Sequence, residues 1–133
     1  MSTDNCSLPV RDCLDMGLSL CAVQVARRPR PAYRVLFRLH MRNAGHGSVR
    51  LVGRKWTLRD RSGATRIIEA ERVFNQHPVL APDAVFGYSG CHTFDTPPTG
   101  MEVRFFGTDA RNAPFITPPL IFPRACLQVP GKA

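Results

Sequence analysis

The strongest constraint in this chain is an alternation. Tyr33, Val35, Phe37, Leu39 and Met41 take every second position, with Arg34, Leu36, Arg38, His40 and Arg42 between them. Neighbouring side chains of a strand point to opposite faces, so one set fills an interior and the other stays hydrated. A helix would scatter both sets around its circumference. Tyr33 to Asn43 is therefore a half-buried strand. Before it, Leu18 to Val25 is a short apolar strand, broken off at Arg27-Arg28-Pro29-Arg30-Pro31. After it, Asn43 to Ser48 is a glycine-punctuated turn. Val49 to Asp60 then carries Val49 and Leu51 on one parity but Trp56 and Leu58 on the other, and Gly53 marks a bulge or bend. Asp60-Arg61-Ser62-Gly63 turns the chain into Thr65 to Ala70, which makes Val49 to Ala70 a hairpin.

Further along, Asn75 to Asp83 holds His77-Pro78 and Ala81-Pro82 and is a loop. Ala84 to Ser89 is a strand, Pro97 to Gly100 a turn, and Met101 to Gly107 sends Met101, Val103 and Phe105 inward. Ala113 to Phe122 returns with Pro114, Pro118, Pro119 and, at its end, Pro123, which donate no ladder hydrogen bonds, so it belongs at an edge or leaves the sheet early. Seven short strands in 133 residues predict an all-β, antiparallel two-sheet sandwich as a single domain. The expected division is a flexible N-terminal arm over 1–16, the sandwich over 17–124 and a C-terminal tail over 125–133. No apolar run approaches the roughly 20 residues of a membrane helix, and Met1 to Asn5 shows no secretory pattern. A soluble, cytoplasmic protein without membrane contact is expected.

Eighteen Lys+Arg stand against ten Asp+Glu, for a net charge of +8, and the excess is uneven. From Arg27 to Arg66 there are twelve basic residues and one acid, Asp60, a balance of +11; the remainder carries six against nine, or −3. All but two of the cations are arginine, which suits phosphate and carboxylate, although genome composition and solubility favour the same bias. If the strands at Tyr33 and Val49 pair directly, Arg34, Arg38, Arg42, Arg50, Lys55 and Arg59 share one surface. If they lie in opposite sheets, the charge forms a girdle.

Evidence for chemistry is thin. Cys6, Cys13, Cys21, Cys91 and Cys126 form no C-x-x-C and cannot all pair, so reduced thiols are expected. Cys91 and His92 are adjacent, and on a strand they point to opposite faces rather than to one metal. Gly87-Tyr88-Ser89-Gly90-Cys91 superficially resembles a nucleophile elbow, with His92 and Asp95 close by, yet no helix follows it. Glu69 and Glu71 share a parity that suits an acid/base pair or a divalent ion, although exposed strand glutamates are usually just solvated. Catalytic residues, cofactor and metal are all expected to be absent. Trp56 reads as core packing rather than an exposed anchor, and Phe74 as a handle for a partner.

Several short stretches together are similar to the ApaG family: Arg42-Asn43-Ala44-Gly45, Val49-Arg50-Leu51-Val52-Gly53-Arg54-Lys55-Trp56, and Asp60, Ser62 and Gly63. The likeness continues at His77-Pro78-Val79-Leu80-Ala81-Pro82-Asp83, Tyr88-Ser89-Gly90, Thr96-Pro97 with Gly100-Met101, and Phe115-Ile116-Thr117-Pro118-Pro119-Leu120, covering roughly Leu18 to Phe122. The resemblance implies an immunoglobulin- or fibronectin type III-like sandwich that contacts other proteins, with a family-level link to cobalt tolerance and magnesium efflux. The family often carries G-x-G-x-x-G after the hairpin. Here the corresponding residues are Ala70-Glu71-Arg72-Val73-Phe74-Asn75, without glycine, so close backbone approach to pyrophosphate is not expected. The combined reading is a non-enzymatic binding module that meets a partner protein with an acidic surface through Arg54, Lys55, Arg59, Arg66, Arg72 and Phe74. The alternative is binding of a phosphate- or pyrophosphate-type anion, a nucleotide or nucleic acid by the arginine-rich surface; Tyr33, Phe37 and Trp56 point inward and offer bases no stacking platform. A homodimer is compatible with either.

Overall fold

A computed structural model describes residues 8–70 and 77–130. Nine strands follow one another: β1 (Leu14–Ala26), β2 (Ala32–Asn43), β3 (Val49–Asp60), β4 (Thr65–Ala70), β5 (Val79–Leu80), β6 (Val85–Phe94), β7 (Pro98–Thr108), β8 (Pro114–Ile116) and β9 (Leu120–Ile121). They form two antiparallel sheets. One is ordered β1-β2-β6; the other is β4-β3-β7-β8, with β5 paired to β3 and β9 to β7. No helix among the described residues is long and apolar enough to cross a membrane.

The alternation of β2 behaves as expected. Val35, Phe37, Leu39 and Met41 are buried, while Arg34, Arg38 and His40 are exposed. They face Leu51, Trp56, Leu58, Met101, Val103 and Phe105 of the other sheet within one core. The parity change in β3 is a bulge: Leu51 pairs with Gly107, and the register has slipped by Gly53, which pairs with Phe106. Val49 and Leu51 before the slip, and Trp56 and Leu58 after it, therefore all point inward. Gly107 sits where this bulge crosses β7. A Cβ there would lie 2.6 Å from the Arg50 carbonyl oxygen and 2.8 Å from the Phe115 ring.

Several boundaries differ from expectation. Leu14, Asp15 and Met16, assigned above to the arm, already belong to β1, and Leu14 is buried. Ahead of them the Arg11 N–H donates to Ile116 O and the Ile116 N–H to Pro9 O, each at 2.9 Å. At the other end Arg124–Leu127 is a 3-10 turn that buries Leu127 in the core. β6 runs on to Phe94 because β2 pairs along its whole length. β7 starts at Pro98, inside the expected turn, since a first strand residue needs no ladder N–H. Nine strands replace seven for two reasons. Val79–Leu80 pairs with β3 inside the expected loop, and Thr117–Pro118–Pro119 splits the last strand in two.

Candidate binding surface

The six residues singled out from sequence do not form one patch. Arg72 and Phe74 lie outside the described residues. Lys55 and Arg59 have the parity opposite to Trp56 and Leu58, so they project from the outer face of the larger sheet. There Lys55 stands across from Glu69 on one side and Arg104 on the other, and Arg59 Nη1 is 3.7 Å from Glu102 Oε1. That face alternates in sign. Arg54 and Arg66 instead share the parity of Trp56 and Leu58 and rise at the seam between edge strands β4 and β6. Arg66 Nη2 donates to the Thr93 carbonyl at 2.8 Å, and its guanidinium sits 5.6 Å from the Phe94 ring centroid.

The seam also explains His92. Its ring meets Trp56 edge-on at 4.4 Å between centroids and stacks on Phe37 at 5.8 Å. Nε2 is buried and meets no hydrogen-bond partner among the described residues. Burial, with Arg66 and Arg54 adding repulsion, pulls the imidazole pKa down from 6.5 to about 4, so it is neutral at pH 7. Ser89 points the opposite way, to the outer face, where its Oγ accepts from Arg38 Nη1 at 3.2 Å. Serine and histidine therefore lie on opposite faces of β6, and Gly87–Cys91 is mid-strand rather than a strand-to-helix turn. This geometry cannot pass a proton between them. Cys91 is exposed on Ser89's side, away from His92, so the two share no metal corner. No group of three His, Cys, Asp or Glu among the described residues is placed to hold an ion. The Glu69–Glu71 pairing falls outside the described residues at Glu71.

β2 and β3 lie in different sheets, which settles the charge arrangement as a girdle. The outer face of the smaller sheet then becomes the more distinctive surface. Arg42 is neutralised on two sides: Nη2 donates to Asp15, and Nη1 to Asp83 Oδ1 at 2.8 Å. Arg38 has only the Ser89 hydroxyl, and Arg34 has no partner among the described residues. Their register neighbours are Leu20, Gln24, Ser89 and Thr93, none of them a carboxylate. Sequence reasoning had these arginines in view but placed the contact on β3, β4 and the Ala70 to Pro78 loop. The readable signal was the bulge, because once Trp56 is inward, Arg54 must share its side.

The short motifs mostly serve the fold. Asn43 is fully buried: its Nδ2 donates to Gly47 O and Leu80 O, and its Oδ1 accepts from Gly45 N, all at 2.9 Å. Gly90 leaves room for Phe37, whose ring end would lie 2.6 Å from a Cβ. Asp60 accepts from the Ser62 hydroxyl and backbone N–H, and Gly63 takes φ +89° in the same turn. Buried Thr117 Oγ1 accepts the Phe105 N–H at 3.0 Å. A family model, the ApaG domain, matches residues 25–107.

The chain belongs to the ApaG-domain family.

Protein ApaG of Methylococcus capsulatus is 30% identical over 91 residues, which is 66% of this chain and 72% of that protein. Protein ApaG of Pectobacterium carotovorum is 28% identical over 79 residues, 59% of this chain and 63% of its own length. Among solved structures, the putative ApaA protein from Bordetella pertussis superposes with a TM-score of 0.69 at 21% identity, covering 86% of this chain and 94% of that one. A structural genomics target named SoR45 superposes at 0.75 and 18% identity, covering 90% and 89%. At these identities the two structures support the sandwich fold of this ApaG-domain chain and nothing finer.

Proposed function

We propose that this ApaG-domain chain is a non-catalytic binding module for a partner protein that presents an acidic surface. The observation carrying this reading is the outer face of the smaller sheet, where Arg34 and Arg38 stand exposed with no carboxylate partner among the described residues. Such a field speeds encounter with an acidic partner and penalises a basic one. Arg54 and Arg66 extend it around the β4/β6 seam, Lys55 and Arg59 lie on the far face among Glu69 and Glu102 and add little to it, and Arg72 and Phe74 remain its proposed loop contacts. A cytoplasmic location suits the reduced thiols Cys13, Cys21, Cys91 and Cys126. The cobalt and magnesium link implied by family membership is, in this reading, exercised through the partner.

The test is recovery of a partner from cell extract at about 0.15 M salt, with and without nuclease. The wild-type chain is compared with Arg34→Glu/Arg38→Glu, Lys55→Glu/Arg59→Glu and Phe74→Ala. Loss with the first pair and retention with the second supports the reading. Nuclease-sensitive recovery, with binding that falls steeply in salt, would favour the nucleic-acid alternative.

A further inference from the structure

β6 has one strand neighbour among the described residues, β2. At the head of their register the Asn43 N–H donates to the Ala84 carbonyl. Antiparallel ladders alternate, so the even residues of β6 exchange bonds with β2. The odd ones, Val85, Gly87, Ser89, Cys91 and Thr93, turn their N–H and C=O the other way. One of those groups already has a side-chain donor, since Arg66 reaches the Thr93 carbonyl from β4. Over its ten residues β6 contains no proline and no charge, the usual guards of a strand edge. Its outward side chains at 87, 89 and 91 are Gly, Ser and Cys.

Arg38 completes the arrangement. Its Nη1 donates to Ser89 Oγ, and its Nη2 lies 3.9 Å from where a Cβ on Gly87 would sit. The guanidinium is thus laid across β6 towards the open edge instead of along its own strand. Strands are spaced about 4.8 Å apart, so a strand added beside β6 would lie about 10 Å from β2. Small residues on β6 leave that path clear.

We propose that β6 accepts an extended acidic segment of a partner protein as a fourth strand of the smaller sheet. Main-chain groups of Val85 to Cys91 form the ladder; Arg38, in register with Ser89, pairs with a guest carboxylate inside it, and Arg34, in register with Thr93, with one four residues along at its end. This rests on the acidic-partner reading and gives it a geometry. A second copy of this chain is a poor guest, because it would bring its own Arg38 to the same edge.

The probe is a blocked, fluorescent heptapeptide alternating Val and Glu. It is compared with a form N-methylated on the amides of one edge, a form N-methylated on the other edge, and a Val/Lys form. The full-length chain is used as wild type, Ser89→Pro, Arg38→Ala and Lys55→Ala/Arg59→Ala. Saturable binding by the wild type is expected, about tenfold weaker for the peptide methylated on the bonding edge and for Ser89→Pro, which removes an outward N–H. Arg38→Ala should weaken it about fivefold or more, the Val/Lys form should not bind, and the outer-face pair on β3 should change little. Should Ser89→Pro fail to fold, the methylated peptides decide with the wild-type chain alone. Equal binding of all three Val/Glu peptides overturns strand addition and leaves the acidic-partner reading standing; no saturable binding by any of them overturns both.

Discussion

His92 shows how one residue couples packing to pH. Its folded pKa of about 4 lies below the 6.5 it takes when unfolded, so between these values the unfolded chain holds the extra proton. Stability from this group is therefore complete above pH 6.5 and declines as pH falls towards 4. Chemical denaturation at pH 7.5 and pH 5 should show that decline in the wild type, and His92→Phe should reduce it. A second loss belongs to Asp60 and Asp109. The Ser62 hydroxyl lowers the first carboxyl, and the Ala113 and Arg111 N–H groups the second, so both stabilise above the ordinary carboxylate range and cease to do so as they protonate. Asn43→Ala would leave the buried Leu80 carbonyl without its donor and take partners from the less buried Gly47 carbonyl and Gly45 N–H. Each unmet group costs about 1–3 kcal/mol, and urea denaturation should register a loss of about 3 kcal/mol. Thiol labelling provides a separate check. Burial pushes Cys21 up to about 12 while Cys91 is exposed, so peptide mapping at pH 8 should find Cys91 modified well before Cys21.

At the scale of elements, the bulge in β3 decides which side chains are inside. Gly107→Ala forces a methyl against the Arg50 carbonyl and the Phe115 ring where that bulge crosses β7; a loss of about 1–3 kcal/mol is expected in a denaturant titration. Much at this scale was legible in the sequence. Period two exposed β2, β3 and β7, and the switch of parity from Leu51 to Trp56 exposed an irregularity at Gly53, a bulge or bend, which the pairing with β7 shows to be a bulge. β6 was cut short at Ser89 because Gly90 and Cys91 carry little strand signature, and only pairing with β2 extends it. β5 and β9 contain two residues each, too few to show any period. Alternation also fixes which way a side chain faces but not which strand lies beside it. The partition of β2 and β3 between sheets, and hence the distribution of arginines, was thus beyond sequence reasoning.

For the whole molecule, the sandwich turns a chain segment of strongly positive charge into surfaces of unlike character. The outer face of the larger sheet mixes Lys55, Arg59 and Arg104 with Glu69 and Glu102, while the smaller sheet carries Arg34 and Arg38 beside an uncharged edge strand. The short motifs at Asn43, Asp60 and Gly90 serve turns and close packing contacts, so they report the fold more clearly than they report a partner. The most direct measurement is amide chemical-shift mapping of the full-length chain during titration with the alternating Val/Glu peptide. The account predicts that the largest shifts fall at Val85, Gly87, Ser89 and Cys91 and around Arg38. Shifts centred on Lys55 and Arg59, or spread evenly over every basic surface, would contradict it.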